Sequence, residues 1–456
     1  MNKFLFMIWM FLSFFIFINQ GYCQTTINKS INGNYSDDND PDIPPFAKNM
    51  IDKGEYLHLR QDYINSLRGV PYNLPYNPRV KAIETMRGME LRKNGPGALV
   101  QSANWTFLGP SPIPNGQTTT FTVPVSGRVT CIAINPTNEN IVYVGTAQGG
   151  VFRTLDGGST WTSIFDNAQS MSVGCLALAP SDPTILYVGT GEANFSQDSY
   201  FGVGIYRINN ADTSPVLNGP INPSMTMTIN GISQSVQPFF NKGISKILVH
   251  PTNPAIIFVS TTYALGGEVY AFAPYVCPQG IFVSNNATSA PGSVTFTKLT
   301  VNTENSNDTP PTGDRAITDM SLEPGNPNNL LCFFYGTTAS DDGVYRSTNA
   351  LSGTPTFTQT IASSLSGDRG KFDIVKIGSV VTVVLGTGES STVCSGTGRI
   401  RKSTDGGATW SAELAGFGGF CDGQCWYDIS LAIDPTNASL ILVGGSATGG
   451  LSCYSI

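Results

Sequence analysis

From Trp105 onward the chain runs in short apolar stretches separated by polar, glycine-rich turns, and the stretches recur. Cys131-Ile-Ala-Ile-Asn-Pro136, Cys175-Leu-Ala-Leu-Ala-Pro180, Lys246-Ile-Leu-Val-His-Pro251, Asp319-Met-Ser-Leu-Glu-Pro324, Asp373-Ile-Val-Lys-Ile-Gly378 and Ser430-Leu-Ala-Ile-Asp-Pro435 share one pattern. After a polar turn comes a second run, as in Ile141-Val-Tyr-Val-Gly145, Ile185-Leu-Tyr-Val-Gly189 and Leu440-Ile-Leu-Val-Gly444. A third then opens on glycine, as in Gly149-Gly-Val-Phe-Arg153 and Gly343-Val-Tyr-Arg346. The prolines at 136, 180, 251 and 324 are 44, 71 and 73 residues apart. Propeller blades take about 40–50 residues, so the longer intervals carry insertions.

Within the first run, the fourth and second residues before the proline are large (Ile132/Ile134, Leu176/Leu178, Ile247/Val249, Met320/Leu322). The fifth and third are smaller or polar (Cys131/Ala133, Cys175/Ala177, Asp319/Ser321). A strand shows these sets on opposite faces. Large against small, with both faces covered, is how stacked blades pack. The fold expected is therefore all-β: a β-propeller of four-stranded antiparallel blades with at least five complete blades over residues 105–456. The sixth repeat stops after Gly449-Gly450-Leu451, where a third strand should begin, so the ring is expected to be C-terminally incomplete. Trp105–Leu108 is the strand available to close it.

Before Trp105 the pattern differs. Lys3 followed by the apolar run Phe4–Ile18 reads as a signal peptide over 1–23, with cleavage before Gln24. Residues 24–45 read as a flexible leader, and 46–104 as a small helical extension on the stripe Ile51, Tyr56, Leu57, Tyr63, Ile64 and Leu67. No second apolar span follows, so no transmembrane helix is expected after cleavage.

Charged residues are only 12%, and losing Lys3 moves the formal charge from −7 to −8. No basic patch results, which argues against nucleic acid as a partner. His58 and His250 are the only histidines, too few for a histidine metal site. No metal or cofactor is expected. Export permits disulfides, and Cys421-Asp-Gly-Gln-Cys425 has the spacing of a local bridge. Cys131 and Cys175 read as small core residues that do not pair.

Two segments, Thr154-Leu-Asp-Gly-Gly-Ser-Thr-Trp161 and Ser403-Thr-Asp-Gly-Gly-Ala-Thr-Trp410, read Ser/Thr-x-Asp-x-Gly-x-Thr-Trp. Weaker versions are Val283-Ser-Asn-Asn286 and Arg346-Ser-Thr-Asn349. The motif resembles the Asp-box of BNR-repeat, sortilin-like propellers, a group that includes propeller glycosidases and receptors. The chain also resembles exported bacterial surface proteins that end in a type IX sorting domain, on Trp426-Tyr427-Asp428. The sorting domain itself is not in the sequence. The box chemistry is structural: Asp156 and Asp405 take backbone N–H groups in a tight turn, and Trp161 and Trp410 plug the blade edge.

A ring with boxes on one face puts the loops between second and third strands on the other, beside the heads of the first strands. The insertions fall there: Thr190–Phe201, Thr262–Gly280, Thr337–Asp342 and Thr387–Thr397. Arg128, Arg315 and Arg369 precede first strands; Glu192 and Glu389 lie in two Gly-Thr-Gly-Glu runs. Mutual salt bridging around the mouth is the plain expectation for these groups. Ligand binding by Arg128, Arg315, Arg369, Trp426, Tyr427 and Asp428 is the functional one. A glycoside hydrolase, xyloglucanase-like or sialidase-like, would need paired carboxylates or an arginine triad with Tyr427 as nucleophile; Asp428, Glu192 and Glu389 are the candidates. The sequence favours a secreted or cell-surface module that binds a glycan or protein ligand on this loop-rich face.

Overall fold

The computed structural model describes Tyr63, Lys81, Thr85 and Gly88, and residues 127–445 except 195–198, 230–231, 264–278, 302–314, 336–339, 366–367, 394–395, 418, 422–423 and 426–427. The chain divides into two compact units. One, Met1–Tyr56 with Ile113–Pro124, lies outside the described residues. The other, Leu57–Pro112 with Val125–Ile456, holds all of them. The signal peptide, leader and Trp105–Leu108 strand also fall outside the described residues. Tyr63, Lys81, Thr85 and Gly88 of the expected helical extension are in helix. Among the described residues no helix is long and apolar enough to cross a membrane.

The fold is an all-β propeller. The first blade is β1 (Val129–Ile134), β2 (Val142–Thr146), β3 (Gly150–Thr154) and β4 (Thr162–Ser163). The second is β5 (Val173–Ala179), β6 (Asp182–Thr190), β7 (Ile205–Asn209) and β8 (Val216–Ile221). A separate hairpin comes next, β9 (Met225–Ile229) with β10 (Ile232–Val236). The third blade is β11 (Lys242–His250), β12 (Asn253–Tyr263), β13 (Ile281–Ser284) and β14 (Thr297–Leu299). The fourth is β15 (Ile317–Glu323), β16 (Asn326–Phe334), β17 (Gly343–Ser347) and β18 (Thr358–Ala362).

The fifth sheet has three strands, β19 (Gly370–Ile377), β20 (Val380–Ser390) and β21 (Thr397–Ser403). Its fourth place is taken by an irregular segment: Ser411 N donates to Lys402 O at 2.8 Å and Leu414 N to Ile400 O at 2.8 Å. Among the described residues the sixth sheet is the pair β22 (Ser430–Ile433) and β23 (Ile441–Gly444). Four blades are thus complete in strands, and the fifth is complete only if this segment is counted. Neighbouring strands within each blade run antiparallel, and the first strands of successive blades lie side by side.

The inter-blade packing follows the large-against-small alternation. Cys131 and Ala133 of β1 pack with Leu176 and Leu178 of β5. Cys175 and Ala177 of β5 pack with Ile247 and Val249 of β11. Between the third and fourth blades the alternation breaks, and Leu248 of β11 packs as a large residue with Met320 and Leu322 of β15. Each such aliphatic chain removed from water contributes about 1.5–3 kcal/mol. The outer face of β1 departs from the pattern: Ile132 and Ile134 are 62% and 58% exposed. They lie on the face of the first blade away from the second, so no neighbour from the next blade reaches them.

The heads of the first strands carry a feature that composition does not show. In β1, β5, β11 and β15 the ladder skips one residue, Thr130, Gly174, Ser245 and Thr318 respectively. A bulge of this kind re-aims the side chain it inserts. Here it aims at the next blade. Thr130 Oγ1 donates to Val173 O at 2.7 Å, Ser245 Oγ to Ile317 O, and Thr318 Oγ1 to Gly370 O at 3.1 Å. At Gly174 the blades approach too closely for any side chain, because a Cβ would sit 2.3 Å from Ile244 O.

Candidate functional site

The antiparallel blade order puts the strand heads and the β2–β3-type loops at one end of the ring and the β3–β4-type turns at the other. The turns are built as structure. Thr154 Oγ1 donates to Asp156 Oδ1 at 2.7 Å, Thr160 N donates to the same oxygen at 2.9 Å, and Thr160 Oγ1 donates to Oδ2 at 2.7 Å. Asp405 accepts the equivalent bonds from Ser403 and Thr409. Hydrogen bonds from Thr160 and Thr154 hold the Asp156 carboxyl down at about 2. At Asp405 burial works the other way, but bonds from Thr409 and Ser403 outweigh it and also leave about 2. Gly157 and Gly158 take φ of 67° and 97°, which only glycine adopts without strain.

The weaker versions form the same turn with a neutral acceptor. Thr295 N donates to Asn286 Oδ1 and Thr356 N to Asn349 Oδ1, each at 2.9 Å. The two tryptophans part company. Trp410 is half-buried and donates to Thr360 of the fourth blade at 3.1 Å. Trp161 is 44% exposed and folds back onto Gly158 O. It does not plug a blade edge, because Gly158 O satisfies its indole N–H locally.

At the other end of the ring, side chains from five blades converge. Cys131, Cys175, Lys246, Asp319, Lys371 and Asp373 lie within electrostatic reach of one another. Lys246 Nζ pairs with Asp319 at 3.3 Å. Asp319 also accepts from Phe372 N at 2.8 Å, and Asp373 accepts from Ile374 N and Ile433 N, tying the fourth, fifth and sixth sheets together. Burial pushes the Cys131 thiol up to about 11 and raises Cys175 further, so both behave as core groups; neither is in a disulfide.

The candidate carboxylates are held by arginines. Arg128, at the head of β1, pairs with the buried Glu192 at 2.6 Å, and Glu192 also accepts from Asn194 Nδ2 at 3.0 Å. Glu389, at the end of β20, is gripped by Arg401, by Arg399 at 3.1 Å, by Thr387 and by Ser364 N. Burial would raise its pKa, but the bonds from Arg401 and Ser364 overcome this and bring it to about 2. Asp428 is different. It precedes β22, it is only partly buried, and burial raises its pKa against the charge of Arg128. Arg315 is buried at the head of β15, and Arg369 stands beside Lys371.

Of the three arginines, Arg128 is paired within the protein with Glu192. Trp426 and Tyr427 lie outside the described residues. Cys421 and Cys425 form a disulfide just before them, with Cα atoms 5.0 Å apart.

Two groups at the mouth escape a reading of the sequence. Asp368 is buried, accepts from Ser363 Oγ, Arg369 N and Gly388 N, and is pushed up to about 6 by burial. Lys371 lines a small cavity of about 20 Å³ with Asn194, Thr318, Arg369 and Cys425. Both sit in Asp368-Arg369-Gly370-Lys371, where three charges in four residues were the available signal. Among the described residues no group of three His, Cys, Asp or Glu side chains could hold a metal ion.

No family model matches the chain, and no curated protein matches it. Among solved structures it is similar to an ancestral GH74 enzyme, with 18% identity, TM-score 0.43, 70% of this chain and 35% of the other covered. It is similar to a GH74 xyloglucanase from Xanthomonas campestris, with 16% identity, TM-score 0.37 and 70% and 51% covered. It is also similar to YCF48 from Cyanidioschyzon merolae, with 12% identity, TM-score 0.30 and 64% and 86% covered. The chain spans about a third to a half of the length of the GH74 enzymes it matches. These likenesses concern the fold and carry nothing about activity.

Proposed function

We propose that this protein is an exported propeller module that binds a glycan or protein ligand over the mouth of the ring, and that the two boxes are Asp-boxes serving stability. In this reading the segment 1–23 directs export, and the product is secreted or held at the cell surface. One observation carries the binding reading: Glu192 and Glu389, two of the three candidate carboxylates, are neutralised by neighbouring arginines. A general acid needs a proton near neutral pH, which Glu389, held near 2, does not offer; a nucleophile needs an accessible oxygen, and both side chains are buried. What remains is a mouth of partly buried charges beneath inserted loops, where binding function tends to sit.

A second reading, a glycoside hydrolase, has one observation in its favour. Asp428 is raised by burial, the environment that suits a carboxylic acid to donate a proton. The two readings separate in one experiment. The full chain is screened on a glycan array and, in parallel, against soluble aryl glycosides and xyloglucan. Binding without turnover, lost in Asp428→Asn but kept in Asp156→Ala, supports the module. Turnover lost in Asp428→Asn supports the hydrolase. Loss of both binding and turnover in a folded Asp156→Ala would put the site at the other end of the ring and defeat both.

A further inference from the structure

The first two blade junctions are built alike at the box end of the ring, but their polar atoms are paired differently. Tyr187 of β6 and Arg207 of β7 are cross-strand partners, so their side chains stand side by side on one face. Arg207 Nη1 donates to Ala287 O at 2.6 Å and to Ser289 O at 2.9 Å, in the box turn of the third blade. Its Nε donates to Asn209 Oδ1 at 3.0 Å, and Tyr187 Oη donates to Pro254 O at 2.8 Å. The phenol and the Nε–H are both paired within the protein.

Tyr143 of β2 and Arg153 of β3 repeat the arrangement one blade earlier. Arg153 Nη1 donates to Ala211 O at 2.8 Å and to Thr213 O at 3.0 Å, the carbonyls on either side of Asp212. The remaining bonds do not form. Tyr143 Oη, Arg153 Nε and Asp212 Oδ1 are all buried, and none of the three has a hydrogen-bond partner. Part of the reason is local. Two residues after Arg153 stands the apolar Leu155, where Arg207 has Asn209 as its acceptor. The three groups feel one another: burial and the Asp212 charge push the Tyr143 phenol up to about 12, and Arg153 opposes them.

Buried polar atoms gathered in one place call for a common partner. The Nε–H can only donate, the carboxylate oxygen can only accept, and the phenol can do either. Arg153 and Asp212 cancel in formal charge, so the cluster suits a neutral occupant that both donates and accepts. Water does both, and a buried water typically makes about three hydrogen bonds to groups the protein leaves unsatisfied.

We infer that Tyr143, Arg153 and Asp212 form a binding site for one internal water, which joins the first blade to the second as Tyr187 and Arg207 join the second to the third directly. The inference is independent of any ligand at the mouth.

A crystal structure of the full chain that resolves ordered solvent tests it. One solvent peak should lie within about 2.7–3.2 Å of Tyr143 Oη, Arg153 Nε and Asp212 Oδ1. A dry junction, or a direct bond between any two of these atoms in place of that peak, overturns the site. Urea unfolding of Tyr143→Phe supplies a second reading, with Tyr187→Phe as the control that loses a direct bond. Both variants should unfold at a lower urea midpoint than the parent. A midpoint for Tyr143→Phe at or above the parent's would mean that its hydroxyl is buried without a partner, and the water would be refuted. The crystallographic arm uses the parent protein and stands even if a variant does not fold.

Discussion

Replacing Asp368 with asparagine isolates one buried charge at the mouth. The side chain is 4% exposed, and its Oδ1 accepts Arg369 N at 2.7 Å and Gly388 N at 2.8 Å, while Oδ2 meets Ser363 Oγ at 2.6 Å. An asparagine satisfies all three: its oxygen keeps the two N–H donors and its nitrogen donates to the serine hydroxyl. The substitution therefore removes the charge and keeps the geometry. Burial pushes the Asp368 carboxyl from 3.8 up to about 6, with the charge of Glu389 adding to the rise. An acid raised on folding favours the native state while protonated. Its contribution is fully present below the unfolded pKa and is lost as pH rises through the folded one. Two units correspond to at most roughly 3 kcal/mol.

Urea unfolding of the parent and Asp368→Asn should therefore give similar stabilities near pH 4. By pH 8 the variant should be the more stable, by up to that amount. Glu389, Asp156 and Asp405 are all held near 2, and their contributions are lost as pH falls toward that value. They are common to both proteins, so the difference curve cancels them. A difference that stays flat from pH 4 to pH 8 would show that Asp368 is ionised throughout, and the account of its burial would be wrong.

Other substitutions test the packing and the ion pairs. In Gly189→Ala the new Cβ meets Ile244 at 2.6 Å and Cys175 at 2.7 Å, both buried, so unfolding should become easier by about 1–3 kcal/mol. Gly292→Ala, with nothing within 4 Å, should stay within about 0.5 kcal/mol of the parent in the same urea titration. Thr318→Val removes both bonds that its hydroxyl makes with Gly370, to O at 3.1 Å and from N at 3.3 Å. It should cost about 1–3 kcal/mol, and hydrogen exchange at Gly370 should speed up if the bulge ties the fourth blade to the fifth. Glu389→Gln leaves Arg401 and Arg399 without their shared carboxylate; a loss of about 3–5 kcal/mol is expected by chemical denaturation, and a near-neutral result would mean the arginines find other partners.

The fold was legible because its signal is periodic and repeated. Alternation in Cys131–Ile134, Cys175–Leu178 and Lys246–Val249 is the pattern of strands covered on both faces, and six copies leave little room for another architecture. The outer strands were harder to see. The fourth place of the fifth blade holds Ser411–Leu414, which makes two ladder bonds without the regularity of a strand. The boxes were legible for the same local reason: an Asp or Asn and the Thr that closes the turn are near neighbours in sequence, so the motif carries its own partners.

The mouth was legible only in part, because its partners are distant in sequence. Arg128 and Glu192 are 64 residues apart, and nothing local to either names the other. The roles of Glu192, Glu389 and Asp428 depend on which carboxylate an arginine reaches, a property of the assembled ring. The strand-head bulges place a second set of groups. Each inserts one residue at a strand head, turns its hydroxyl onto the next blade in three cases, and so fixes the residue after it: Cys131, Cys175, Lys246 or Asp319. A charge or thiol at that position is then delivered to the axis whatever its neighbours are. The strand-head bulges are thus the scaffold of the site, and the charges after them are its variable content. Lys246→Gln should change the electrostatics around Lys371 and leave the ladder of the third blade intact. Lys371 should label more slowly with acetic anhydride, because losing a neighbouring cation raises its pKa and leaves less free amine to react, while amide exchange in β11 and β12 should match the parent. Faster labelling, or a loosened third blade, would mean that the bulge and the charge are not independent.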